Sequence, residues 1–140
     1  MEKKSISEQH KPLYVAAKAA ADNAYAPYSK FRVGAALKCS NGDVVAGCNV
    51  ENASFGLTIC AERNAIAAAV AQGKQQFDSI VVYTPLQSLV APCGACRQVI
   101  AEFMPPEGEV VLTNDEGLSQ RWTVADLLPA AFTPASLKEK

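Results

Sequence analysis

The chain has 140 residues, of which 49 % are hydrophobic, 7 % aromatic and 19 % charged, a composition that fits one globular domain able to bury a substantial core. Thirteen Lys and Arg against fourteen Asp and Glu leave a formal charge of −1, so nothing concentrates the positive potential that a nucleic-acid partner demands. Met1 to Val15 lacks the apolar stretch of a secretion signal and no apolar run approaches the roughly 18 residues that span a bilayer, so a cytoplasmic protein with no membrane partner is expected.

In chain order, Lys3-Lys4 reads as a solvated end, and the first helix is expected over residues 12–24, with Pro12 in its first turn and Pro27 beyond its end. From Phe31 to Cys39 apolar and other residues alternate up to Asn41-Gly42, the pattern of a strand entering a tight hairpin. The return strand, Val44 to Val50, leads to Asn49 and Glu51, which share a face because side chains two apart on a strand point the same way. Cys60 to Gln72, nearly continuous Ala, Ile and Val after Asn64 and stopped by Gly73, predicts a helix buried on most sides. Ser79 to Thr84 reads as a central strand covered on both faces. Pro92 opens a further helix with Val99, Ile100 and Phe103 inward, ended by Pro105-Pro106. Strands follow at Glu109 to Thr113 and Gln120 to Val124, then a helical turn at Ala125 to Leu128. Residues 133–140 form a loosely held tail of one domain spanning 1–140, and Lys138-Glu139-Lys140 reads as a second solvated end.

The chemistry concentrates in Cys60-Ala61-Glu62-Arg63 and Pro92-Cys93-Gly94-Ala95-Cys96-Arg97-Gln98. In a reducing compartment five cysteines read as a metal or catalytic set before a disulfide framework. Cys93 and Cys96, at i and i+3 of a first helical turn, can both reach one ion, and Cys60 at another helix start adds a third thiolate. Three protein ligands leave a fourth position open for water, the pattern of a catalytic zinc; a structural site would close with a fourth Cys or His, and the single histidine, His10, is distant. Glu62 lies about 200° round an ideal helix from Cys60, poorly placed as a ligand and better placed to exchange protons with water at the metal. Three thiolates over-neutralise Zn²⁺, so Arg63, and with it Arg97 or Gln98, are candidates to hydrogen-bond the sulfurs and draw off charge. Cys39 and Cys48, on the two hairpin strands, read as small core residues or as a regulatory disulfide. His10, Trp122 and Arg32 carry no separable signal.

Cys-Ala-Glu followed by Pro-Cys-Gly-Ala-Cys resembles the zinc deaminase signature. The wider chain, from about Ala24 to Phe132, is similar to the small homotetrameric cytidine deaminases. The likeness runs through Tyr25-Ala26-Pro27-Tyr28-Ser29, Phe31 to Leu37, Asn49 to Ser54, both metal stretches and Leu127 to Phe132. The resemblance implies a three-layer α/β/α fold with a mixed five-stranded sheet and helices on both faces. It implies one zinc per subunit held by Cys60, Cys93 and Cys96, with Glu62 carrying protons from water to the pyrimidine N3 and the departing amino group. Asn49 and Glu51 would hydrogen-bond the ribose 3′-hydroxyl, Phe31 would pack on the nucleoside, and the Ala61 backbone N–H would meet the base carbonyl. Phe55 and Phe132 would enter a neighbouring subunit's site, making a tetramer with shared active sites. Many members carry Tyr where this chain has Phe55, so a hydroxyl contact to the sugar would be absent here. The expected reaction is hydrolytic deamination of cytidine and 2′-deoxycytidine in pyrimidine salvage. The alternatives are another cytosine-containing small molecule as substrate, or a zinc-stapled nucleoside-binding module without turnover.

Overall fold

A computed structural model describes residues 4–138. The expected solvation of Lys3, Glu139 and Lys140 falls outside the described residues. Six strands, β1 (Lys4–Ser5), β2 (Gly34–Cys39), β3 (Val44–Cys48), β4 (Phe77–Tyr83), β5 (Glu109–Thr113) and β6 (Leu118–Thr123), form one sheet in the order β1-β6-β5-β4-β2-β3. Only β4 and β5 run parallel, so the sheet is mixed. The sixth strand, beyond the expected five, is the two-residue β1, whose exposed polar side chains carry no periodic signal; it pairs Lys4 and Ser5 with Ser119 and Leu118.

Side-chain alternation along the strands builds the layers. Leu37, Ile80, Val82, Val110 and Leu112 face one side and pack on α2 (Ala61–Ala71) and α3 (Gly94–Phe103). Ala36, Val81, Tyr83 and Val111 face the other and pack on α1 (Lys11–Ala21). The result is the α/β/α arrangement, with β4 buried on both faces as its apolar run requires. Two glycines permit this close layering. A Cβ on Gly34 would lie 1.8 Å from the Ala17 carbonyl oxygen, and one on Gly47 would lie 2.5 Å from the Ala65 nitrogen.

Several boundaries differ from expectation for physical reasons. The ladder of β2 starts at Gly34 because the Asn49 side chain takes the place of a partner strand: Val33 N–H donates to its Oδ1 at 2.9 Å and its Nδ2 donates to the Phe31 carbonyl at 2.8 Å. Helix α2 is not buried all round; Ala61, Ala65 and Ala69 face the sheet while Ala67, Val70 and Ala71 are open. Cys39 and Cys48 are not cross-strand neighbours. Cys48 pairs with Gly34, roughly 15 Å along the strand from Cys39, so a disulfide between them is excluded. His10 is buried and hydrogen-bonds Ser7 Oγ through Nδ1 at 2.9 Å and Glu109 Oε1 through Nε2 at 3.2 Å, tying the N-terminal turn to β5. After β6, the helical turn α4 (Val124–Leu127) is capped by Thr123 and Asp126. The last segment forms the single turn α5 (Pro134–Leu137), where Thr133 N–H donates to Ser136 Oγ at 3.2 Å and no side chain is buried. No helix among the described residues is long and apolar enough to cross a membrane.

Candidate active site

Cys60 is the N-cap of α2 and Cys93 the N-cap of α3, with Cys96 buried in the first turn of α3. Both caps have extended backbone while their carbonyls already accept the first helical bonds, from Asn64 and Arg97. Asn64 also fixes the start of α2 on the sheet, since its Nδ2 donates to the Cys48 carbonyl at 2.8 Å. The three sulfurs lie within 4.8 Å of one another, with Cys60 and Cys93 3.9 Å apart. A tetrahedral zinc with Zn–S bonds of about 2.3 Å needs sulfurs roughly 3.8 Å apart, so the trio fits that ion. Among the described residues no fourth His, Cys, Asp or Glu joins the group.

The electrostatics match a site built for a cation. The Cys60 thiol is pulled below its usual range by hydrogen bonding with Cys96, aided by Arg63, whereas Cys96 is pushed up by that same shared proton and by burial. A cation between them removes the need for a shared proton and stabilises both thiolates. Arg63 Nη2 donates to Cys60 Sγ at 3.6 Å, and its buried Nε has no partner among the described residues. Glu62 is only 5 % exposed, and burial, reinforced by the nearby Cys60 charge, pushes its carboxyl up to about 7. A buried carboxyl of that acidity can accept and release a proton near neutrality.

Arg97 and Gln98 act elsewhere than on the sulfurs. Arg97 Nε donates to the Pro92 carbonyl at 2.8 Å and its Nη1 to the Leu127 carbonyl at 3.0 Å. Gln98 Nε2 donates to the Phe132 carbonyl at 2.8 Å. Their guanidinium and amide groups therefore hold the 127–132 segment, which no ladder supports.

The Asn49 to Glu51 stretch is brought beside Cys60 by a bridge between Val50 and Ile59. Asn49 is buried and bound to the backbone at Phe31 and Val33. Glu51 Oε1 accepts from the backbone N–H groups of Tyr28 at 3.0 Å and Ser29 at 3.1 Å, and its Oε2 accepts the Ser29 hydroxyl. Phe31 is half-buried. Ala61 is wholly buried as the first residue of α2, where an N–H has no partner within its helix. Phe55 and Phe132 are 74 % and 61 % exposed, so neither is seated in a pocket of its own chain; the Phe55 ring meets Tyr28 edge-on at 5.9 Å. Sequence reasoning missed the parts played by Ser29, Gly47 and Asn64. The first stands in the Tyr25 to Ser29 block and the last follows Arg63, but only spatial pairing reveals what they hold.

Fold and site define a class: an α/β/α protein in which two helix starts bring three thiolates into one zinc-sized space beside a buried carboxylic acid. The family model for the cytidine and deoxycytidylate deaminase zinc-binding region matches residues 7–112. The chain is 48 % identical over 120 residues to a cytidine deaminase of Halalkalibacterium halodurans, covering 86 % of this chain and 91 % of that one. It is 32 % identical over 113 residues to a blasticidin-S deaminase of Bacillus cereus, covering 75 % of this chain and 79 % of that one. The crystal structure of a cytidine deaminase from Burkholderia pseudomallei superposes with a TM-score of 0.84 at 50 % identity, covering 91 % of this chain and all of that one. The chain belongs to the cytidine and deoxycytidylate deaminase family.

Proposed function

We propose that this chain, acting as one domain, hydrolyses cytidine and 2′-deoxycytidine to uridine and 2′-deoxyuridine with release of ammonia. The observation that carries this reading is the three-sulfur cluster at two helix starts with the buried Glu62 beside it. Cys60, Cys93 and Cys96 would hold a zinc ion, which when bound would supply the Lewis acidity that makes water a nucleophile near neutral pH. Glu62 accepts one proton from the attacking water and delivers it to N3 of the base; the proton of the new C4 hydroxyl then passes through Glu62 to the amino group, which leaves as ammonia as the C4 carbonyl forms. The Ala61 N–H donates to the base carbonyl, Phe31 packs against the nucleoside, and Asn49 and Glu51 engage the sugar. Arg63 offsets the negative charge of the thiolates.

The assembly reading is that Phe55 and Phe132 complete the sites of neighbouring copies in a homotetramer. Support comes from their exposure and from the open apolar positions of α2, including Val70 at 36 %. A cytoplasmic role in pyrimidine salvage fits five cysteines that are all free. A formal charge of −1 favours a free nucleoside over polynucleotide.

The test is the ultraviolet loss of cytidine absorbance on mixing with protein of measured zinc content, alongside deoxycytidine, cytosine, a cytosine nucleoside antibiotic and single-stranded DNA. Turnover of the two nucleosides is expected. Zinc-loaded protein that binds cytidine without converting it would replace the enzyme by a binding module, and turnover confined to the antibiotic would move the substrate.

A further inference from the structure

Glu51 is held in a way that its reading as a sugar contact does not explain. A carboxylate oxygen offers about two acceptor positions. Oε1 spends both on the backbone N–H groups of Tyr28 and Ser29. Oε2 accepts the Ser29 hydroxyl, which leaves it one position. The Ser29 hydroxyl is itself oriented, because Phe31 N–H donates to its oxygen at 3.0 Å and turns the proton toward Glu51.

The surrounding chain is wound to make this arrangement. Lys30 has a left-handed backbone, φ 62°, which an L residue adopts at a cost, and its N–H closes onto the Ala26 carbonyl at 3.0 Å. On the far side the Asn49 amide pins Phe31 and Val33. Strained backbone, two N–H donors and one hydroxyl therefore converge on a single carboxylate, with the charge of Lys30 a smaller contribution than these hydrogen bonds. These bonds, the Ser29 hydroxyl first, hold Glu51 below the usual carboxylate range, so it stays an acceptor at neutral pH.

We propose that Ser29 is a positioning residue for substrate recognition: its hydroxyl locks the plane of the Glu51 carboxylate so that one acceptor position on Oε2 is presented to a hydroxyl of the nucleoside sugar. The inference rests on the cytosine-nucleoside reading above and deepens it. The feature it would recognise is a hydroxyl donor on the sugar, since the position left open on Oε2 can only accept.

Steady-state kinetics of Ser29→Ala with cytidine and with 2′,3′-dideoxycytidine test this. One hydrogen bond to a charged group corresponds to about a tenfold effect or more, so KM for cytidine is expected to rise about tenfold while kcat/KM for the dideoxy substrate stays within roughly twofold of wild type. Ser29→Thr, which keeps the hydroxyl, should restore cytidine KM. Ser29→Ala combined with Glu51→Gln should be no worse than Glu51→Gln alone. Equal losses on both substrates, or no rescue by Thr, would overturn the Ser29 role while leaving the deaminase reading intact. Wild-type protein inert toward cytidine would overturn both.

Discussion

Gly47→Ala tests the link between sheet packing and the metal site. The added Cβ would lie 2.5 Å from the Ala65 nitrogen, 2.8 Å from its Cα and 3.0 Å from the Asn64 carbonyl carbon, all backbone atoms of α2. No side chain can swing away to relieve these contacts, so α2 must recede by about 1 Å to reach an ordinary separation of roughly 3.5 Å. Overpacking of this kind costs about 1–3 kcal/mol, which for a chain of this length lowers Tm by roughly 4–12 °C. The displaced helix carries Cys60 at its N-cap, and metal–ligand distances tolerate only about 0.2 Å, so zinc should also be held more weakly. The assay is a thermal melt with and without chelator, together with zinc content after dialysis. Gly56→Ala is the control, because nothing lies within 4 Å of its added Cβ. A Gly47→Ala protein that melts with wild type and retains full zinc through dialysis would refute the reasoning.

Glu62→Gln preserves shape and removes the proposed proton carrier; kcat should fall by about 10²–10⁴-fold with zinc and Tm kept, and near wild-type turnover would refute its role. Arg63→Ala removes the donor to Cys60 Sγ; an outer partner of a metal ligand contributes about 10–100-fold, so a matching drop in zinc affinity by chelator competition or in kcat is expected. Glu109 is pushed up by burial, but its bonds from Arg121 at 2.7 Å and His10 outweigh this and hold its carboxyl below the ordinary 4.5. A lowered carboxylate stabilises the fold above its ordinary value and ceases to as pH falls through the lowered one. Glu109→Gln should therefore lower Tm at pH 7, with the gap to wild type closing in acid; a gap independent of pH would contradict this.

What could be read from the sequence follows from where the information lies. The order of the main elements was legible because β4 and β5 are apolar runs, α2 and α3 start at cysteines, and Gly73 marks a stop. That Cys93 and Cys96 can reach one ion followed from spacing, since i, i+3 on one helix is a local property, whereas Cys60 starts a different helix and only the fold shows its sulfur beside theirs. Three further things were not legible. The pairing of Lys4–Ser5 with β6 depends on backbone hydrogen bonds that polar side chains do not announce. The open side of α2 depends on which of its many alanines meets the sheet, and an alanine-rich helix has little periodicity to read. The hydrogen-bond partners of Arg97 and Gln98 lie about 30 residues further on, beyond any local pattern.

That last failure has a common physical cause across the site. The segments at 28–33 and 127–132, which carry Phe31 and Phe132, are irregular, and each contains a non-glycine residue in the left-handed region, Lys30 at φ 62° and Ala130 at φ 53°. Backbone outside helices and ladders still needs partners for its polar groups. Here they come from side chains anchored beside the chemistry: Asn49 and Glu51 for the first segment, Arg97 and Gln98 for the second. A polar residue near a motif invites interpretation as a ligand contact, yet each of these four hydrogen-bonds its own chain. Helix α3, which carries Cys96, thus holds the Phe132 segment directly, and the stretch bridged to Ile59, next to Cys60, holds the Phe31 segment. Two irregular segments are fixed relative to the sulfurs because each is bonded to the element that carries or adjoins a cysteine cap, which gives aromatic side chains on irregular backbone the placement that a regular element would otherwise supply.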